Sequence, residues 1–138
     1  MTTINMQTMR YINLLDRQTR VKTSNCFVYN NIIFFAVPRA MMSKAIGPGA
    51  TNIKSLQNQL GKRVKIISQP NNPEDYNSFI KSIIEPVGFK SLEVKDGSII
   101  LTAGGKQNKA GLIGRNKQRL LELKKVTISV FKKDVKVI

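Results

Sequence analysis

Two short stretches carry residues that could do chemistry. Ala45-Ile46-Gly47-Pro48-Gly49-Ala50 is echoed 67 residues later by Leu112-Ile113-Gly114-Arg115-Asn116-Lys117. A residue without a β-carbon lets the backbone come close to a phosphate, and a helix that starts at such a loop offers N–H donors and a favourable dipole. The chemistry implied is anion binding along a nucleic-acid backbone. Basic side chains gather near both stretches: Lys44, Lys54, Lys62 and Arg63 near the first, Lys109, Arg115, Lys117, Arg119, Lys124 and Lys125 near the second. A literal Gly-x-x-Gly at Gly111-Leu112-Ile113-Gly114 would set Leu112 and Ile113 at an exposed tip, so the register that begins at Gly114 is preferred.

Other chemistries lack their residues. The sequence has no histidine and a single cysteine, Cys26, which removes zinc sites and Ser-His or Cys-His catalysis. The carboxylates are scattered, and the one adjacent pair, Glu74-Asp75 after Pro73, reads as favourable charge in a first helical turn. No enzyme, metal or cofactor is expected. Cys26 alternates with Val28 in a strand-like stretch and reads as a buried core thiol.

The elements that must position the loops also repeat. Asn30-Asn31 between Cys26–Tyr29 and Ile32–Phe35 is a two-residue hairpin signal, and Asp96-Gly97 repeats it between Leu92–Val94 and Ile99–Leu101. A helix precedes each hairpin: Tyr11, Leu14 and Leu15 in the first half, and the stripe Tyr76, Phe79, Ile80, Ile83, Ile84 in the second, stopped by Pro86. Met41, Met42, Ala45 and Ile46 lead into the first loop. Ile53, Leu56 and Leu60 follow it on a helix that Gly61 stops. Val64–Ile67 reads as a closing strand and Val126–Val130 as its counterpart, reached sooner in the second copy. The expected order is helix, strand, strand, helix, helix, strand, written twice: residues 1–68, a Pro- and Asn-rich linker 69–73, and residues 74–138 ending in a short basic tail. Phe27, Tyr29, Phe34 and Phe35 read as strand core, so stacking platforms for bases are not evident.

Composition agrees with a folded polyanion binder. Of 138 residues 41% are apolar, and 23 Lys and Arg against 8 Asp and Glu give a net charge of +15. Ten basic residues and one acidic precede the Ser68 break, and thirteen and seven follow it, so both halves are basic. The competing reading is that surplus lysine serves only solubility. Met1–Asn5 lacks a signal-peptide pattern, and the longest apolar run, Ile32 to Val37, is too short to span a bilayer. A cytoplasmic protein without membrane association is expected.

The order of elements with Ile-Gly-x-x between paired helices resembles the type II K-homology fold. Two such modules filling the chain are similar to the archaeal NusA-like transcription factor family. The match is carried by Lys44–Leu56, by Leu60-Gly61-Lys62-Arg63-Val64 and by Gly111–Lys117. The chain departs from Gly-x-x-Gly at the fourth position, Ala50 in one copy and Lys117 in the other. The resemblance implies an α+β fold of two tandem modules, each a three-stranded mixed sheet backed by helices. It implies single-stranded RNA held beside each loop by Lys44, Ile46, Gly47, Pro48, Gly49, Ala50, Asn52, Lys54, Lys62 and Arg63, and by Lys109, Ile113, Gly114, Arg115, Asn116, Lys117 and Arg119. Groove walls would be Ile46, Ile53 and Ile66, then Ile113, Leu120 and Ile128. Transcription components such as RNA polymerase are the implied partners, and termination or antitermination the implied outcome. The alternative is a degenerate K-homology scaffold that docks polymerase subunits and binds RNA weakly; a DNA-compacting protein would use the same charge without the loops.

Overall fold

The computed structural model describes residues 6–23 and 25–138; Met1–Asn5, the stretch without a signal-peptide pattern, lies outside them, as does Ser24. The chain divides between Gln69 and Pro70 into two compact units. Both are mixed α and β, and each contains a three-stranded sheet with one antiparallel and one parallel pairing.

The first unit runs α1 (Met6–Thr19), β1 (Asn25–Tyr29), β2 (Ile32–Val37), α2 (Met42–Ile46), α3 (Thr51–Leu60) and β3 (Arg63–Ser68). Asn30 and Asn31 both take positive φ, 51° and 61°, the two-residue turn whose twist suits a hairpin. That turn pairs Cys26 with Phe35 and Val28 with Ile33, antiparallel, while β3 joins β2 in parallel with Ile33 opposite Val64. Alternation then sends Cys26, Ile33, Phe35, Val37, Val64 and Ile66 to one face, where they form a single buried cluster with Tyr11, Leu15, Ala45 and Leu56 of the helices. Each Val, Leu, Ile or Phe side chain among them contributes roughly 1.5–3 kcal/mol through burial. Cys26 belongs to that cluster, and burial pushes its thiol up to about 12, so it is no nucleophile at neutral pH. Gly61 ends α3 at φ 66°, and Gln57 Oε1 accepts the Val64 N–H at 3.0 Å, which ties the helix end to β3.

The second unit repeats the order with α4 (Tyr76–Ile84), β4 (Ser91–Lys95), β5 (Ser98–Thr102), α5 (Lys106–Ile113), α6 (Gln118–Phe131) and β6 (Asp134–Val137). Asp96 and Gly97 make the matching turn at φ 53° and 75°. Of the α4 stripe Phe79, Ile80, Ile83 and Ile84 are buried and Tyr76 is half-buried; Ile99, Leu101, Leu112, Leu123, Val126 and Val135 share this core. Phe131 closes this core edge-on against Tyr76 and Phe79, at centroid distances of 4.8 and 5.6 Å.

Three expectations need correction. Val126–Val130 is not a strand but part of the C-terminal half of α6, and the closing strand is Asp134–Val137, where a basic tail was expected. The second copy therefore reaches its strand later, because α6 has 14 residues against 10 in α3. β-branched residues favour strands only weakly against tertiary packing. Here Leu123, Val126 and Thr127 fall at helical spacing onto the core, and Thr127 Oγ1 donates to the Lys124 carbonyl at 3.1 Å. The third correction concerns Glu74-Asp75, which precede α4 rather than opening it. Asn72 Oδ1 accepts the Glu74 N–H at 2.8 Å and Asp75 Oδ2 accepts the Asn71 N–H at 3.0 Å, so the pair is used in turns.

Candidate nucleic-acid interface

Both loops sit between the paired helices of their units, and their backbones follow one path. Gly47 has φ 78°, ψ 163° and Gly114 has φ 74°, ψ 174°. Gly49 and Asn116 both enter the left-handed region, at φ 61° and 55°, and so do Ala50 and Lys117, at φ 60° and 61°. Hydrogen bonds repeat in step. Gly47 N–H donates to Ser43 O and Gly114 N–H to Ala110 O, at 2.9 and 2.8 Å; Ala50 N–H donates to Gly47 O and Lys117 N–H to Gly114 O, at 3.1 and 3.2 Å. The register beginning at Gly114 is the one that forms a loop: Leu112 lies in α5 with 0% exposure.

The first position of each loop requires glycine on two counts. Its φ is positive, and a β-carbon at Gly47 would meet Asn52 Nδ2 at 2.9 Å, while one at Gly114 would meet Arg119 Cγ at 2.8 Å. A β-carbon on Gly49 would meet nothing within 4 Å, so asparagine can stand at the equivalent place, Asn116, at modest strain. Ala50 and Lys117 directly precede α3 and α6, and neither helix start has a side-chain cap or an acidic residue in its first turn. The Thr51 and Gln118 N–H groups are taken by the carbonyls of Pro48 and Arg115, and no negative side chain offsets the positive end of either dipole beside loops whose neighbours are basic.

Not all the expected residues gather there. Lys44, Pro48, Gly49 and Lys54 around the first loop are exposed, as are Lys109, Arg115, Asn116 and Lys117 around the second. Ile46 is half-buried, packed on the core, and Ile113 is half-buried at the end of α5. Lys62 and Arg63 lie past the far end of α3, about 15 Å along the helix from the loop, where with Gln57 and Gly61 they line a separate shallow recess. Of the expected groove walls, Ile66 is core, and Ile128 is on the outside of α6 with 53% exposure. Asn52 and Arg119 are tied into the loops themselves: Asn52 Nδ2 donates to Lys44 O at 3.0 Å and an Arg119 guanidinium N–H donates to Gly111 O at 3.3 Å. The only advance signal of that tie was the 67-residue register that both residues share. The aromatic residues of the first sheet are used in packing, with Phe27 stacked on Phe34 at 5.2 Å. No group of His, Cys, Asp or Glu among the described residues could hold a metal, and no described helix is long and apolar enough to cross a membrane.

A family profile described as KH domain matches residues 32–84, which takes in β2, the first loop with its two helices, β3 and α4. A "Probable transcription termination protein NusA" of Methanocaldococcus jannaschii is 27% identical over 120 residues, covering 83% of this chain and 64% of the relative. A protein of the same name from Methanococcus vannielii is 27% identical over 92 residues, covering 67% of this chain and 51% of its own. The chain thus spans less than two thirds of the length of these two relatives. The crystal structure of APE1850 superposes with a TM-score of 0.66 at 23% identity, covering 98% of this chain and 100% of that one, and shows a shared fold.

Proposed function

We propose that this NusA-like, K-homology-domain protein binds single-stranded RNA without catalysis, through two tandem type II K-homology modules, and acts as a transcription termination or antitermination factor. The observation that carries the reading is the pair of glycine loops. They share one backbone path, each opens a helix whose start is uncapped, and they sit in a chain of net charge +15. Such a loop grips the sugar-phosphate backbone, on the scale of four nucleotides per module, and leaves bases free to be sampled beside it. RNA polymerase or other transcription components are the partners this reading supplies. The names of the relatives support that context, and their greater length leaves room for functions beyond this chain.

Filter binding of single-stranded RNA, single-stranded DNA and duplex DNA at two salt concentrations tests it. Single-stranded RNA should bind best, with log K falling against log salt at a slope of roughly −3 to −5, as expected for about four to seven neutralised phosphates on a single strand. Equal affinity for duplex DNA would favour non-specific polyanion binding, and a slope near zero would favour the protein-docking scaffold.

A further inference from the structure

The polar contact that spans each loop is the same contact made by two different side chains. Asn52 stands five residues after Gly47 and donates to the carbonyl of Lys44; Arg119 stands five after Gly114 and donates to the carbonyl of Gly111. Both donors come from the first turn of the helix after the loop, both acceptors from the last turn of the helix before it, and the two pairs are 67 residues apart at each end. Each side chain passes directly over the first glycine, filling the space a β-carbon would need.

We infer that Asn52 and Arg119 are positioning residues, clasps that hold the two helix ends at the spacing the loop needs, rather than direct phosphate ligands. The functional consequence rests on the RNA-clamp reading; the mechanical one does not. The backbone of each loop holds two consecutive left-handed residues, of which Ala50, Asn116 and Lys117 pay a steric penalty for lacking glycine. A cross-loop hydrogen bond offsets that penalty and holds the loop backbone in this path. A neutral amide does this in the first module, so the clasp adds no charge there. In the second module the guanidinium does it, and one of its N–H groups is committed to a backbone carbonyl. Because the backbone paths coincide, asparagine at position 119 should reach Gly111 O as Asn52 reaches Lys44 O.

The test uses the full chain with Asn52→Ala, Asn52→Leu, Arg119→Ala and Arg119→Asn, each read in two ways: amide hydrogen exchange of the loops, and affinity for a mixed-sequence single-stranded RNA of roughly a dozen nucleotides against salt. Asn52→Leu keeps the bulk over Gly47 but cannot donate, which separates the hydrogen bond from packing. The Ala50 amide in both Asn52 variants should exchange roughly three- to tenfold faster, the range of one lost neutral hydrogen bond, and the Lys117 amide in Arg119→Ala by roughly tenfold or more because its donor is charged, with the other module unaffected in each case. RNA affinity should fall at every salt concentration with an unchanged slope, and Arg119→Asn should restore both readouts. Unchanged exchange in Asn52→Leu and Arg119→Ala would overturn the clasp. A slope shallower by about 0.7 in both Arg119 variants, without a change in exchange, would instead make Arg119 a phosphate ligand. Absence of RNA binding by the unaltered chain would sink the RNA reading while the exchange result still decides the clasp.

Discussion

At the scale of single residues the four positions of each loop are not equivalent. Gly47 combines φ 78° with Asn52 in the space above it, whereas Gly49 has φ 61° and open surroundings. Gly47→Ala should therefore destabilise the first unit by about 1–2 kcal/mol and weaken RNA binding, since it strains the backbone and displaces the clasp. Gly49→Asn copies Asn116 and should cost less than about 1 kcal/mol, with binding retained. Thermal unfolding of both variants and RNA titration check this; a greater loss from Gly49→Asn would show that the second glycine, not the first, sets the loop. Cys26 illustrates the opposite kind of residue, one whose chemistry is silenced by burial in the cluster around Phe35.

At the scale of elements, α6 decides how the second unit is built. Its inner face carries Leu123, Val126 and Thr127, and its outer face carries Leu121 and Ile128. A strand over Val126–Val130 would have placed Val126, Ile128 and Val130 together on one face, with Thr127 and Ser129 opposite. The helix separates them. Leu123→Ala should destabilise the protein by about 2–5 kcal/mol, as large-to-small changes in a core do. Ile128→Lys should shift stability by no more than about 0.5 kcal/mol, as surface changes do. Denaturant unfolding measures both, and a severe loss from Ile128→Lys would contradict the helical assignment.

For the whole molecule, charge is shared by both units while the smallest loop side chains are not. The first loop ends in Gly49-Ala50 and the second in Asn116-Lys117, so the first has minimal side chains where the second has an amide and one positive charge, Lys117. Replacing Pro48 and Gly49 with aspartate sets negative charge against phosphate, and binding should fall steeply even at low salt. Replacing Arg115 and Lys117 with alanine removes charge alone. The loss there should be smaller, with a salt slope shallower by about 0.7 per phosphate contact removed. Both are measured on one RNA after circular dichroism shows the fold intact, and normal binding by the first variant with loss in the second would reverse the ranking of the loops.

The repeat, the hairpins, the α4 stripe and the two loops were legible in the sequence because each is written in local terms: turn residues at fixed offsets, helical or alternating spacing, and glycine where φ must be positive. Local terms also named Arg119 as a basic companion of its loop, and the family resemblance added Asn52. Their role as clasps needed the two helix ends brought together, since nothing in their own neighbourhood distinguishes a donor to a carbonyl from a donor to phosphate. The same limit explains α6. Val126-Thr127-Ile128-Ser129-Val130 satisfies a strand pattern when read alone, and only packing of Leu123, Val126 and Thr127 into the second core selects the helix. It also explains Lys62 and Arg63, near the first loop in sequence yet carried away from it by the length of α3. The sequence by itself determined which residues could form loops and which faces must be buried, because spacing fixes both. Tertiary structure alone decided which charges stand beside a loop and which side chains hold it open, because those depend on distances between segments that the chain separates.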